Sequence, residues 1–200
     1  MRAFACAALF VIVSSLAAAS DCRDFDVAIA NRLIAARTIA KLDAANAKAH
    51  RDDLPLRALY RSRRLELNPT REEEDRYIAA LPRTRDELFC MYRLTEVEPI
   101  KEELAVSNAV YGMFDTLQAL AHKRRVGYDR LLHITLWTDG DLAESAWTWY
   151  QDAFDGEDHD RIIASIRRLA PADQRQLCGG STVASLSAKK IAERCAPPDY

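Results

Sequence analysis

Apolar residues return at steps of three and four along almost the whole chain. No stretch alternates apolar and polar over four or more residues with β-branched enrichment and flanking turn signals. A period near 3.6 stripes one face of a helix, whereas burying one face of a strand needs a period of two. The chain is therefore expected to be all-α, with helices that bury their stripes against one another.

The stripes and the helix-start signals place the segments. Phe25, Ile29, Leu33, Ala36 and Ala40 form one stripe of a helix expected from Cys22 to about Ala49, and a second helix is expected from near Pro55 to Leu67. Thr70 with Glu73, and Thr84 with Glu87, have capping-box spacing, in which each side chain satisfies a free backbone N–H of the first turn. Thr95 with Glu98 repeats the spacing, with Pro99 inside the first turn. From Ile100 to about His122, Val106, Val110, Met113, Leu117 and Leu120 form one stripe beside a second through Leu104, Tyr111 and Phe114. So wide an apolar face implies a largely buried central helix, with Gly127 expected to end it. Shorter helices are expected over Tyr128–Trp137, Asp141–Phe154, Asp158–Leu169, Pro171–Cys178 and Ser181–Cys195.

Asp75-Arg76-Tyr77-Ile78-Ala79 is echoed by Asp160-Arg161-Ile162-Ile163-Ala164, and more briefly by Asp129-Arg130-Leu131-Leu132. Two architectures fit: an irregular helical bundle, or a short stack of antiparallel helix pairs as in HEAT-like solenoids.

The first residues read as a secretory signal peptide. Met1-Arg2 is positive, Ala3 to Leu16 is apolar except for Ser14 and Ser15, and Ala17-Ala18-Ala19 supplies a small-residue cleavage site. The expected division is a signal peptide over 1–19 and one domain over 20–200, exported to a bacterial periplasm or secreted. The apolar run is shorter than the roughly 20 residues of a spanning helix, so no stable membrane insertion is expected after cleavage. Four cysteines then remain, Cys22, Cys90, Cys178 and Cys195, an even number suited to two disulfides in an oxidising compartment. The favoured pairing is Cys22–Cys90 and Cys178–Cys195, one of three that four cysteines allow.

Cleavage takes one cation from the 28 Lys and Arg and leaves the 30 Asp and Glu, a net charge of about −3. That balance argues against nucleic acid as a partner. The chain contains no G-x-S-x-G, H-E-x-x-H or Gly-rich phosphate loop, and no C-x-x-C. No cofactor or metal site is expected. Asp139, Asp141 and Glu144 around Gly140 lack the EF-hand order and read as a turn and a capped helix, and the acidic run from Asp152 to Asp160 reads as an inter-helix loop.

The densest candidate binding residues are Trp137, Trp147, Trp149 and Tyr150, either an aromatic wall or plain core. His133 with Glu144 or Asp141 is the one acid/base pair worth testing. Arg61, Arg63 and Arg64, followed by Glu66 and by Glu72, Glu73 and Glu74, read as a solvated face with helix charge pairs, or else a docking patch for an acidic partner. These features favour an exported protein–protein interaction or inhibitor/immunity-type module acting on an envelope or secreted protein, and lean away from an enzyme. The alternatives are a small-molecule binder using the tryptophans, and a hydrolase built from dispersed carboxylates and His133.

Overall fold

The computed structural model describes residues 26–96, 107–124, 126–138, 140–155 and 159–179. Its described residues form ten α-helices and one 3-10 turn, and no strand. The helices are α1 Val27–Ala35, α2 Ile39–Asn46, α3 Leu54–Leu67, α4 Arg71–Ala80, α5 Arg85–Tyr92, α6 Ser107–Lys123, α7 Val126–Trp137, α8 Gly140–Asp155, α9 His159–Ile166 and α10 Pro171–Gly179; the 3-10 turn is Arg93–Glu96. The signal peptide, Cys22, Cys195, the Glu98-Pro99 turn, the start of the helix expected at Ile100 and the Ser181–Cys195 segment lie outside the described residues.

The single helix expected from Cys22 to Ala49 is two. Ala36 leaves helical geometry with φ −66° and ψ 126°. Thr38 then caps α2, its hydroxyl accepting the Lys41 backbone N–H at 3.3 Å. A Thr that finds a free N–H three residues on is more stable at a helix start than inside one. The buried face shifts at the break: Ile29, Leu33 and Ala36 are buried before it, whereas Ala40, the next residue of the expected stripe, is exposed and Leu42 and Ala45 are buried instead. Other starts follow the same chemistry. Asp26, Asp53, Thr70 and Thr84 each accept a first-turn backbone N–H at α1, α3, α4 and α5.

Two helices act as hubs. α3 packs on α1, α2, α4, α5 and α6, and α7 packs on α4, α5, α6, α8, α9 and α10. On α6, Val110, Met113, Phe114, Leu117, Leu120 and Ala121 are buried, so its two stripes merge into one broad face. Tyr77 of α4 crosses to this helix and donates its hydroxyl hydrogen to the Met113 carbonyl, and Tyr150 of α8 donates to the Leu177 carbonyl of α10 at 3.2 Å. Both phenols are buried, which pushes their pKa values up and keeps them protonated donors.

Gly127 does not end α6 but lies in the first turn of α7. A Cβ there would stand 2.9 Å from the Ala121 Cα. The glycine is required by the close approach of two helices, not by a stop.

The three echoes each lie within a helix, in α4, α7 and α9. Tyr77-Ile78, Leu131-Leu132 and Ile162-Ile163 are buried, and the Arg that precedes each pair points outward or is half-exposed. Asp129 receives Arg168 at 2.7 Å, and Asp75 receives Arg124 at 2.5 Å.

Candidate functional site

The arginine-rich segment is not a simply solvated face. Arg64 joins three helices: its Nε donates to Glu73 Oε1 at 2.9 Å, and its Nη1 donates to Asp43 Oδ1 at 2.6 Å and to the Tyr60 hydroxyl oxygen at 2.9 Å. Tyr60 in turn donates to Asp43 at 2.7 Å, and Arg76 reaches Glu73 Oε1 at 2.8 Å. Glu73 is 2% exposed. Its backbone N–H is taken by Thr70 at 3.3 Å, as capping-box spacing demands. Its carboxylate, however, turns inward to the guanidinium groups. Burial alone would raise the Glu73 and Asp43 pKa values, but hydrogen bonds and attraction from the arginines outweigh it and hold both below the ordinary carboxylate range. Burial, then the neighbouring Asp43 carboxylate, pushes the Tyr60 phenol up.

Helical period explains which arginines take part. Arg57, Arg61 and Arg64 follow one another at steps of four and three along one side of α3. Arg63 lies off that line, pairing with Glu66 and reaching the Ala36 carbonyl at 3.3 Å.

Beside this network, the end of α2, the turn after it and α3 enclose a cavity of about 370 Å³. Arg51, Arg57, Arg61 and His50 line it with Asn46 and Tyr60, and no carboxylate does. Arg61 is committed only in part: its guanidinium lies over the Tyr60 ring at 5.1 Å, and its Nη1 stands 3.6 Å from Glu73 Oε2, an oxygen with no hydrogen-bond donor. Arg51 and Arg57 are exposed and form no ion pair among the described residues. The His50 Nδ1 accepts the Asp52 backbone N–H at 3.4 Å, which leaves Nε2 as the ring's N–H. On the other side of α2, a groove floored by Ala35, Ala36, Ala44 and Ala45 is rimmed by Arg32, Lys41 and Lys48, again without a carboxylate. Residues 26–70 hold nine Lys and Arg against five Asp and Glu, a surplus of +4 in a chain whose formal charge is −2.

The aromatic residues singled out from the sequence do not form a common wall. Trp149 is buried, with its ring 6.1 Å from that of Tyr128 and its Nε1 donating to His122 Nε2 at 3.4 Å. Trp147 meets the buried Tyr150 edge-on at 5.5 Å, and Trp137 lies 5.3 Å from the His133 ring. The three indoles thus contact different neighbours. They line neither the cationic cavity nor the alanine-floored groove. The His133 Nδ1 is within 2.7 Å of the Asp129 carbonyl one turn earlier. Glu144 is exposed, and its carbonyl accepts the Thr148 hydroxyl. The Asp141 side chain, Asp139 and most of the acidic run lie outside the described residues. Among the described residues no group of three His, Cys, Asp or Glu side chains is placed to hold a metal ion, and no helix is long and apolar enough to cross a membrane.

Cys90 and Cys178 are buried. Sequence reading missed Arg51 and Arg57. The signal for Arg57 was present in its four-residue spacing from Arg61, but the contiguous Arg61, Arg63 and Arg64 masked it.

No family model matches the chain, and neither a curated protein nor a solved structure does.

Proposed function

We propose that the mature chain is an exported protein, periplasmic or secreted, that works by binding an acidic partner protein through the cationic side of α2 and α3. The observation that carries this reading is the cavity lined by Arg51, Arg57, Arg61 and His50 without a carboxylate. Other arginines among the described residues are matched, such as Arg64 with Asp43 and Glu73, Arg124 with Glu74 and Asp75, and Arg168 with Asp129. Charges left unmatched beside matched ones are available for a partner, and such surfaces set specificity and association rate. The broad hubs at α3 and α7 accord with an irregular bundle, in which the helix pairs are not stacked in one dimension. Two disulfides, Cys22–Cys90 and Cys178–Cys195, belong to the same reading. The burial of Cys90 and Cys178 is what this part of the reading rests on.

Affinity purification from the native envelope tests the proposal, with the unaltered chain run beside Arg51→Glu/Arg57→Glu. A stoichiometric partner retained by the first and lost by the second is expected. Recovery of no such partner, or equal recovery by both, overturns it.

A further inference from the structure

The cavity between the end of α2 and α3 has a composition that selects its occupant. Three guanidinium groups approach it from two segments, Arg51 from the turn and Arg57 and Arg61 from successive turns of α3. On a helix, side chains four apart stand about 5–6 Å from one another at Cβ. Two planar forks at that separation match two carboxylates on neighbouring acidic side chains better than one compact tetrahedral anion, because each fork can take its own carboxylate bidentately. Ala47, Ala49 and the Tyr60 ring supply an apolar wall, which suits the methylene stems of Glu or Asp. The His50 ring adds a polar edge to the lining. Asp43 is hydrogen-bonded to Tyr60 and Arg64 and attracts Arg61 only as a weaker, further neighbour. Asp53 is turned to the Leu56 backbone N–H at 3.0 Å as the cap of α3. Asp52 lies exposed beside His50, and the buried Asp53 also attracts His50 and Arg57, but neither lines the cavity. Beyond residue 70 the excess is acidic, and that excess repels an extended polyanion such as a nucleic acid.

We infer that this cavity is a carboxylate-pair site, which takes two neighbouring Asp or Glu side chains of a protein segment on Arg57 and Arg61, with Arg51 closing over them. The inference rests on the acidic-partner reading and assigns its point of contact. Arg57 and Arg61 bind the incoming carboxylates, Arg61 being positioned by the Tyr60 ring and Glu73.

The test uses the mature chain and three probes: a tetraglutamate peptide, its tetraglutamine counterpart and inorganic phosphate, followed through the arginine Nε–Hε resonances. Tetraglutamate should shift Arg57, Arg61 and Arg51 and weaken as salt rises. Tetraglutamine should do nothing. Arg57→Gln should weaken tetraglutamate binding by about fivefold or more, the scale of one charge-assisted fork, while Arg175→Gln on α10 leaves it unchanged. Equal losses in the two variants would reduce the effect to general charge and overturn the site. Phosphate binding at these resonances without tetraglutamate would overturn the carboxylate assignment. If the envelope partner depends on Arg51 and Arg57 but tetraglutamate fails to bind, the interaction reading stands and the carboxylate pair falls. If tetraglutamate binds and no envelope partner is recovered, the reverse holds.

Discussion

Glu73 and Arg64 meet across α3 and α4 with the carboxylate inside and the guanidinium at the rim: the Glu73 side chain is 3% exposed, the Arg64 side chain 20%. The carboxylate has given up the reciprocal half of its capping box for this contact. Removing it with Glu73→Ala leaves Arg64 and Arg76 without their shared acceptor. The partly exposed arginines can rehydrate, so the loss should fall below that of a fully buried pair, at about 2 kcal/mol. A urea titration checks this, with the midpoint lowered and the slope unchanged. A change within about 0.5 kcal/mol would place Glu73 among ordinary surface acids.

The same carboxylate sets an acid limit. Glu73 and Asp43 are held below their ordinary values by Arg64 and its neighbours against the upward pull of burial. The stability they contribute is complete above the unfolded values of 4.5 and 3.8, and is lost as pH falls through the lower folded values. Stability should therefore decline on acidification below pH 4.5. Asp53, raised by burial, works in the opposite sense and offsets part of the decline. Glu73→Gln should flatten the acid limb in unfolding curves taken from neutral to acid pH. A limb of unchanged steepness would assign the decline to other carboxylates.

Two glycines should respond with opposite sign. Gly127→Ala puts a Cβ against the Ala121 backbone and should cost about 1–3 kcal/mol, since backbone on both sides must shift. Gly112→Ala, inside α6 with nothing within 4 Å of the added atom, should stabilise by about 0.5–1 kcal/mol. Thermal unfolding of the pair checks both. A stabilised Gly127→Ala would mean that α6 and α7 stand further apart than the structure places them.

The tryptophans should separate by burial. Trp149→Phe removes a buried indole and its bond to His122, and should cost more than about 1 kcal/mol. Trp137→Phe, half-buried against His133, should cost less than half as much. Neither should change tetraglutamate binding. A loss of that binding in Trp137→Phe would return the aromatic residues to the interface.

Much of the fold was legible because caps and stripes are local. Thr70 and Thr84 start helices where residue type and spacing said they would, and the broad face of α6 was written in two overlapping periods. What stayed hidden was long-range. Nothing local distinguishes a Glu73 that folds back on its own cap from one that faces Arg64 nine residues earlier. Gly127 looked like a stop because its true reason, Ala121 across a helix crossing, is a distance in space. Thr38 was passed over because Ala40 continues the apolar spacing in the sequence, although it faces solvent in the structure. At the candidate site, the arginine run drew the eye by being contiguous, while the cavity selects by angle and so needs Arg57 and the turn residue Arg51.

The surplus of +4 over residues 26–70 sets against an excess of negative charge in the remainder. A body so divided feels a torque in the field of an acidic surface before any atom touches. Encounters should begin already aligned, α2 and α3 leading, and become slower and more random as added salt shortens the reach of that field.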